Sequence, residues 1–348
     1  MRSRKALISA VAVGTLSVAT AGAALATADV QADRLAGADR YGTSQDIATT
    51  TFQGGDVTVA VVASGESYPD ALAASYLAGA LDGPVVLTAK DSLSQAAANT
   101  LDALNVSGVI VVGGTAAVSE TVVEQIAATG IEVDRVFGAD RYATARAIAG
   151  SAPEEQIGSL DSSIGRTALL ASGQRFADAL SGGPLAYASA FPLVLTPTNT
   201  LSPQAAAAIN ELDIDQVVIL GGSVAVSPAV EAQVEALGVE VRRVFGADRT
   251  ATAAAIADVA VDELGYSDTH ANLARGDDFA DALSGSANAG QEIAPILLTQ
   301  RSNSLGTVTA NWLTKHDDTL ASIHVYGGPL AVDDPTVNAA ELAAGRNP

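Results

Sequence analysis

The sequence predicts an α/β protein of three tandem similar units, each a small parallel sheet flanked by helices, packed in a pseudo-threefold arrangement. Two observations predict it. Four motifs recur three times in one order at offsets of 101–108 residues. Within each copy, short wholly apolar runs alternate with stretches of helical spacing. Strands that are apolar at every position bury both faces, which requires parallel pairing between layers of helix. Solenoid repeats of roughly 20–50 residues cannot hold a core alone, whereas units of about 100 residues can.

The motifs are explicit. Residues 34–44 read RLAGADRYGTS, 135–145 RVFGADRYATA and 243–253 RVFGADRTATA, the last two agreeing at ten of eleven positions. A second motif is ASGESYPDAL at 63–72, ASGQRFADAL at 171–180 and ARGDDFADAL at 274–283. A third is PVVLT at 84–88, PLVLT at 192–196 and PILLT at 295–299; the fourth ends in Gly114, Gly222 and Gly328 as VVGG, ILGG and VYGG. In the second copy the spacing predicts helices over 141–150, 176–190, 203–212 and 228–237. Strands are predicted over 167–172, 193–196 and 216–220, and 239–245 leads into the next GADR.

Composition excludes several function classes. The chain has 348 residues, 18 Lys+Arg against 39 Asp+Glu, and a formal charge of −21. That balance argues against nucleic acid as a partner. Without cysteine there is no disulfide, thiol catalysis or Cys-containing metal site. All three histidines (His270, His316, His324) lie in the last quarter, so a His-based site repeated along the chain is excluded.

Residues 1–28 read as an export signal: Arg2, Arg4 and Lys5, then a small apolar stretch and an Ala-x-Ala cleavage site. A retained anchor is the alternative, but no basic stop-transfer cluster follows. Removing those three positive residues and no acidic one leaves 15 − 39 = −24. No other stretch has the roughly 18 unbroken apolar residues a spanning helix needs, so no membrane contact is expected after cleavage.

The four motifs, in triplicate behind a signal, closely resemble the bacterial cell wall-binding repeat 2 family. The resemblance covers roughly residues 34–345, as repeats 34–134, 135–242 and 243–345. It implies a pseudo-trimeric α/β module that attaches non-covalently to anionic secondary polymers of the Gram-positive wall, usually beside a separate effector domain. Here it implies a stand-alone, secreted, wall-associated binding module. The amidase label of some relatives is not carried over, because no catalytic set is found. No nucleophile elbow, H-E-x-x-H, P-loop or dinucleotide fingerprint is present, and Ser64 and Ser172 are replaced by Arg275 in the third copy. The rival readings are a wall hydrolase and a self-assembling surface-layer or spore-coat component.

Each recurring residue has a sharp and a bland reading. Arg40, Arg141 and Arg249 of GADR offer forks for phosphate or carboxylate, or else bridge units while the preceding Asp caps a helix. Tyr68, Phe176 and Phe279 stack on a sugar face, or pack against a helix start. Asp70, Asp178 and Asp281 favour a helix N-terminus electrostatically, or serve as an acid/base or as one ligand of a divalent cation. Pro84, Pro192 and Pro295 begin buried strands, and the resemblance ties such a segment to wall anchoring. The double glycines close a tight turn, or present amides to an anion. No cofactor is expected. Ca²⁺ or Mg²⁺ bridging carboxylates to polymer phosphates would reconcile an acidic protein with a polyanion, whose repulsion is screened within about 8–10 Å.

Overall fold

A computed structural model describes residues 30–346; the predicted export signal lies outside the described residues. Three four-stranded, fully parallel sheets form, as the repeats and the apolar runs require. The first unit contains α1 (Arg40–Thr51), β2 (Val59–Ser64), α2 (Tyr68–Leu81), β3 (Val85–Thr88), α3 (Gln95–Ala103), β4 (Gly108–Val112), α4 (Glu120–Ala127) and β5 (Glu132–Val136), after an initial β1 (Gln31–Leu35). The second contains α5 (Arg141–Ala149), β6 (Thr167–Ser172), α6 (Gly183–Ala188), β7 (Leu193–Thr196), α7 (Pro203–Glu211), β8 (Gln216–Leu220), α8 (Pro228–Glu235) and β9 (Glu240–Val244). The third contains α9 (Arg249–Leu264), β10 (His270–Arg275), α10 (Ala280–Gln291), β11 (Ile296–Thr299), α11 (Thr307–Lys315), β12 (Ser322–Tyr326) and α12 (Asp334–Ala343). Among the described residues no helix is long and apolar enough to cross a membrane.

The first two sheets have strand order β3-β2-β4-β5 and β7-β6-β8-β9. The third sheet would lack its fourth strand, and β1 supplies it: the order is β1-β12-β10-β11, with Gln31 opposite Ser322 and Leu35 opposite Tyr326. The start of the described chain therefore completes the unit at its end and closes the three units into a ring. The inner strands β2, β6 and β8 are buried almost throughout, whereas β1, β5 and β9 alternate exposed and covered positions. That pattern suits edge strands with one wet face.

The chain changes unit at each GADR. The strand before it belongs to one sheet and the helix after it lies on the next. Thus α1 packs on β3 of its own sheet and on α10 of the third unit, and α5 packs on β7 and on α2. At the centre α2, α6 and α10 pack on one another. Small residues permit this approach: a Cβ on Gly79 would lie 2.2 Å from the Tyr187 carbonyl oxygen, and one on Gly290 would lie 2.5 Å from the Tyr187 ring. One apolar cluster runs through all three units, and a second lies under the outer layer of the third.

One predicted helix is corrected. Over 176–190 the structure has a 3₁₀ turn, Leu180–Gly182, and only the six-residue α6. Pro184 removes an N–H and blocks the preceding carbonyl, and Gly182 and Gly183 add the entropic cost of glycine. The first and third units have Tyr76 and Ala287 at the position of Pro184, and there the helices run to 14 and 12 residues.

Ring closure carries a prediction. A chain beginning at Ala36 loses β1 and leaves the β12 edge with unpaired N–H and C=O groups. It should melt several degrees lower and self-associate, read by thermal unfolding and by light scattering on a sizing column. An unchanged monomer with an unchanged midpoint would refute the closing role of β1.

Three clefts between the units as a candidate functional site

Three of the four recurring motifs lie at the carboxyl ends of the strands, the Pro-x-x-Leu-Thr motif being a strand itself. The ASG segments follow β2, β6 and β10, the double glycines follow β4, β8 and β12, and GADR follows β5, β9 and β1. In open parallel sheets this is the end at which ligands bind. Here the motifs of neighbouring units meet across each junction and line a cleft.

The cleft between units one and two is about 380 Å³ and is lined by Asp70, Gly114 and Phe137 together with Asp140, Arg141 and Thr144. The cleft between units three and one is about 310 Å³ and is lined by the equivalent Asp281, Gly328, Asp39, Arg40 and Thr43, with Arg275 and Leu330 added. Between units two and three the same set comes together: Asp178 lies against Gly221 and is influenced by Thr252 and Arg249.

Asp39, Asp140 and Asp248 are the N-caps of α1, α5 and α9, accepting backbone N–H groups of the first turn. A cap of this kind contributes about 1 kcal/mol. It also fixes the next residue. The arginines Arg40, Arg141 and Arg249 each donate from Nη1 to a glycine carbonyl of their own repeat, Gly65, Gly173 and Gly276, at 2.6, 2.5 and 2.5 Å. The guanidinium then reaches the neighbouring repeat: Arg40 lies 5.6 Å from the Phe279 ring centroid and Arg141 lies 5.9 Å from that of Tyr68. Arg40 Nη2 is 4.0 Å from Asp278. Among the described residues Arg141 and Arg249 form no ion pair, whereas Arg40 faces Asp278.

The carboxyls of Asp70, Asp178 and Asp281 are pressed between one unit's glycine turn and the next unit's helix start. Gly113, Gly221 and Gly327 hold φ of +98°, +107° and +98°, and a Cβ there would lie 2.4–2.6 Å from the Asp Oδ2. Only glycine meets both demands. Burial pushes all three carboxyls up against the lowering influence of the Thr and Arg opposite, and Asp281, with Asp278 also nearby, is pushed from 3.8 to about 6.

The aromatic residues do not face the clefts. Tyr68, Phe176 and Phe279 meet on the pseudo-threefold axis, with centroids 5.3, 5.7 and 5.6 Å apart in tilted and edge contacts. They are half-buried and join the three lobes at the end where the clefts open. Pro84, Pro192 and Pro295 are apart from this face and buried, their carbonyls accepting N–H groups of the adjacent strand at 2.9–3.0 Å. The three prolines are closed to solvent here, so a part in wall anchoring would run through the strand they begin.

Two sets of residues were missed by sequence reasoning. Arg34, Arg135 and Arg243 open each GADR motif and donate to the carbonyls of Gly327, Gly113 and Gly221, clamping the turn that holds the buried Asp. Their recurrence was the available signal. The exposed apolar rim is the other: Phe137 and Phe245 are each 55% exposed and Leu330 is 91% exposed. A phenylalanine after a β-branched strand residue reads as core, and nothing local marks it as outward-facing.

Three superimposable lobes sharing one recurrent set of residues at their junctions define a repeat-built binding module. The chain belongs to the cell wall binding domain 2 (CWB2) family, whose model matches residues 34–123, 135–231 and 243–337. It is 29% identical over 280 residues to the N-acetylmuramoyl-L-alanine amidase LytC of Bacillus subtilis, spanning 80% of this chain and 52% of LytC. It is 28% identical over 270 residues to the amidase enhancer of the same organism, spanning 77% of this chain and 35% of that protein. The chain thus spans about half or less of these relatives. The structure resembles Cwp8 from Clostridium difficile (TM-score 0.78, 23% identity, 92% of this chain and 52% of that one) and Cwp6 (0.76, 22%, 95% and 51%). Cell-wall binding is the property the family assigns to these repeats.

The buried carboxyl predicts a pH dependence of stability. Folded Asp281 keeps its proton to about pH 6, whereas the unfolded chain releases it near 3.8. The folded state therefore binds more protons between those values. Its advantage is present below the lower value and is lost as pH rises through the higher one. Asp281→Asn should remove that loss, gaining roughly 3 kcal/mol relative to the parent at pH 7 over pH 4, taken at about 1.4 kcal/mol per pH unit. Urea unfolding at the two pH values measures it.

Proposed function

We propose that the protein is an exported, non-enzymatic module that holds anionic cell-wall glycopolymers non-covalently in its three inter-unit clefts. The observation that carries this reading is the threefold recurrence of one residue set at the junctions, opening as a cleft at two of them: a guanidinium, a glycine turn, a buried carboxyl and a threonine. A fork of N–H donors suits phosphate and carboxylate groups spaced along a polymer. An exposed Phe137, Phe245 or Leu330 at the rim adds an apolar surface for a sugar ring.

Within this reading a polymer strand crosses the axial face and meets clefts in succession. Each contact is weak, and avidity follows from rigid spacing of the three. The −21 formal charge repels a polyanion at long range, and local arginines win at contact once salt screens the rest. Ca²⁺ or Mg²⁺ between acidic side chains and polymer phosphates would assist.

Binding without catalysis is supported by what recurs. Ser64 and Ser172 are buried and accept the backbone N–H of Glu66 and Gln174, and the third unit has Arg275 there. Asp278, the second carboxylate near Asp281, is matched by Ser67 and Arg175, so a carboxylate pair does not repeat. The threonine hydroxyls accept N–H groups of Gly37, Gly138 and Gly246.

Co-sedimentation with purified wall sacculi tests the reading. Arg40→Gln, Arg141→Gln and Arg249→Gln should each lower retention several-fold, the triple variant should be nearly unretained, and stripping the teichoic-type polymer should abolish retention of the parent. Retention that survives stripping, or release of muropeptides by the purified protein, would overturn it. Depleting Ca²⁺ and Mg²⁺ should lower retention, with either cation restoring it. Unchanged retention would remove the cation from the mechanism while leaving the arginines.

A further inference from the structure

The third unit carries a polar cluster that its two sisters lack. His270 on β10, His324 on β12 and Glu292 just after α10 converge within the unit, on the covered face of its sheet. His270 Nε2 lies 2.9 Å from one Glu292 carboxylate oxygen and His324 Nδ1 lies 2.9 Å from the other. One donor atom from each residue falls within 4.8 Å of the other two. The same positions in the first unit, found by counting from the ASG, DAL and GG motifs, are Val59, Ile110 and Leu81. The second unit has Thr167, Val218 and Ser189. Three positions that are all aliphatic in the first unit have therefore become imidazole, imidazole and carboxylate together.

Such a change costs stability unless the groups find partners. In one another they find close but poorly aligned partners. Each imidazole stands 2.9 Å from one Glu292 carboxylate oxygen, yet His270 Nε2, Glu292 Oε2 and His324 Nδ1, all shut off from solvent, complete no well-aligned hydrogen bond among the described residues. The surroundings of the cluster are satisfied instead. His270 Nδ1 is 2.7 Å from Ser322 Oγ, and Asn288 Nδ2 donates to Glu292 Oε1 at 3.2 Å. When the His270 Nδ1 proton goes to Ser322, Nε2 turns a lone pair toward a carboxylate lone pair, an arrangement that a cation satisfies. A hydroxyl that fixes the imidazole from behind is how metal-ligating histidines are oriented.

We infer that His270, His324 and Glu292 form a site for one divalent cation of the zinc class. Two imidazoles and a carboxylate are the donors of zinc sites, whereas Ca²⁺ and Mg²⁺ take oxygen. Ligand atoms about 2.0–2.1 Å from a tetrahedral ion stand roughly 3.3 Å from one another, between the 2.9 Å of the two His–Glu contacts and the 4.8 Å that bounds all three donors. Asp33 on β1, the register partner of His324, offers a further carboxylate on the same sheet. The site is distinct from the clefts, which open past the carboxyl ends of the strands, whereas His270 is the first residue of β10. Its consequence is structural: the ion ties β10, β12 and the end of α10 together in the unit whose sheet β1 completes.

The experiment uses the full chain, stripped of metal by chelator and dialysed. Titration calorimetry should show one equivalent of Zn²⁺ bound, Co²⁺ should give the visible absorption of a four-coordinate ion, and Zn²⁺ should raise the thermal midpoint. The His270→Val, Glu292→Leu, His324→Ile triple variant, which copies the first unit, should bind no stoichiometric Zn²⁺ and show no midpoint rise. Glu292→Gln, which keeps shape and removes charge, should weaken binding at least tenfold. Absence of saturable one-to-one binding by the parent, or equal binding by parent and Glu292→Gln, overturns the site.

Discussion

The structure rests on the crossover at GADR. At each copy the chain leaves the sheet of one unit as an edge strand and enters the next unit as a helix, within the four residues between β5 and α5 or β9 and α9. The capping aspartate fixes the start of the helix, and the arginine after it joins a glycine carbonyl on its own side to an aromatic ring or acidic group on the other. A buried carboxyl from the neighbouring unit closes the gap beneath. The units are consequently not beads on a string. Each junction exchanges a strand for a helix, and the apolar core is continuous across the junctions.

That constraint explains why one set of residues recurs at every junction. The arginine satisfies a carbonyl with one N–H and leaves others facing the cleft. The glycine turn is shaped by the aspartate it accommodates, and its own carbonyl is held by Arg34, Arg135 or Arg243. Burial raises the carboxyl pKa of each of these aspartates, so the clefts lose negative charge at a higher pH than exposed carboxylates do.

Much of this was legible in the sequence. The tripled motifs and the wholly apolar strands determine the parallel sheets, and in the second copy the strands at 167–172, 193–196 and 216–220 stand where the spacing puts them. Three features were hidden, two of them because they depend on partners far along the chain. β1 reads as the opening of the first repeat, yet it pairs with β12, a choice made by the unfilled edge of the third sheet. Tyr68, Phe176 and Phe279 look alike locally whether they face a sugar or one another, and only the axis decides. The helix expected over 176–190 was overridden locally, by Pro184 after two glycines, although the apolar spacing continued through it. The histidine–glutamate cluster had a signal as well, since all three histidines fall in the last quarter, but only the folded register brings Glu292 between two of them.

The strand that β1 lends to the last sheet limits how such a chain can vary. An open array grows by adding copies at either end, because each terminal unit keeps a free edge. Here β1, from the start of the first copy, occupies the β12 edge of the last sheet, so that edge holds no vacancy for another strand. A copy appended after the third would compete with β1 for that edge.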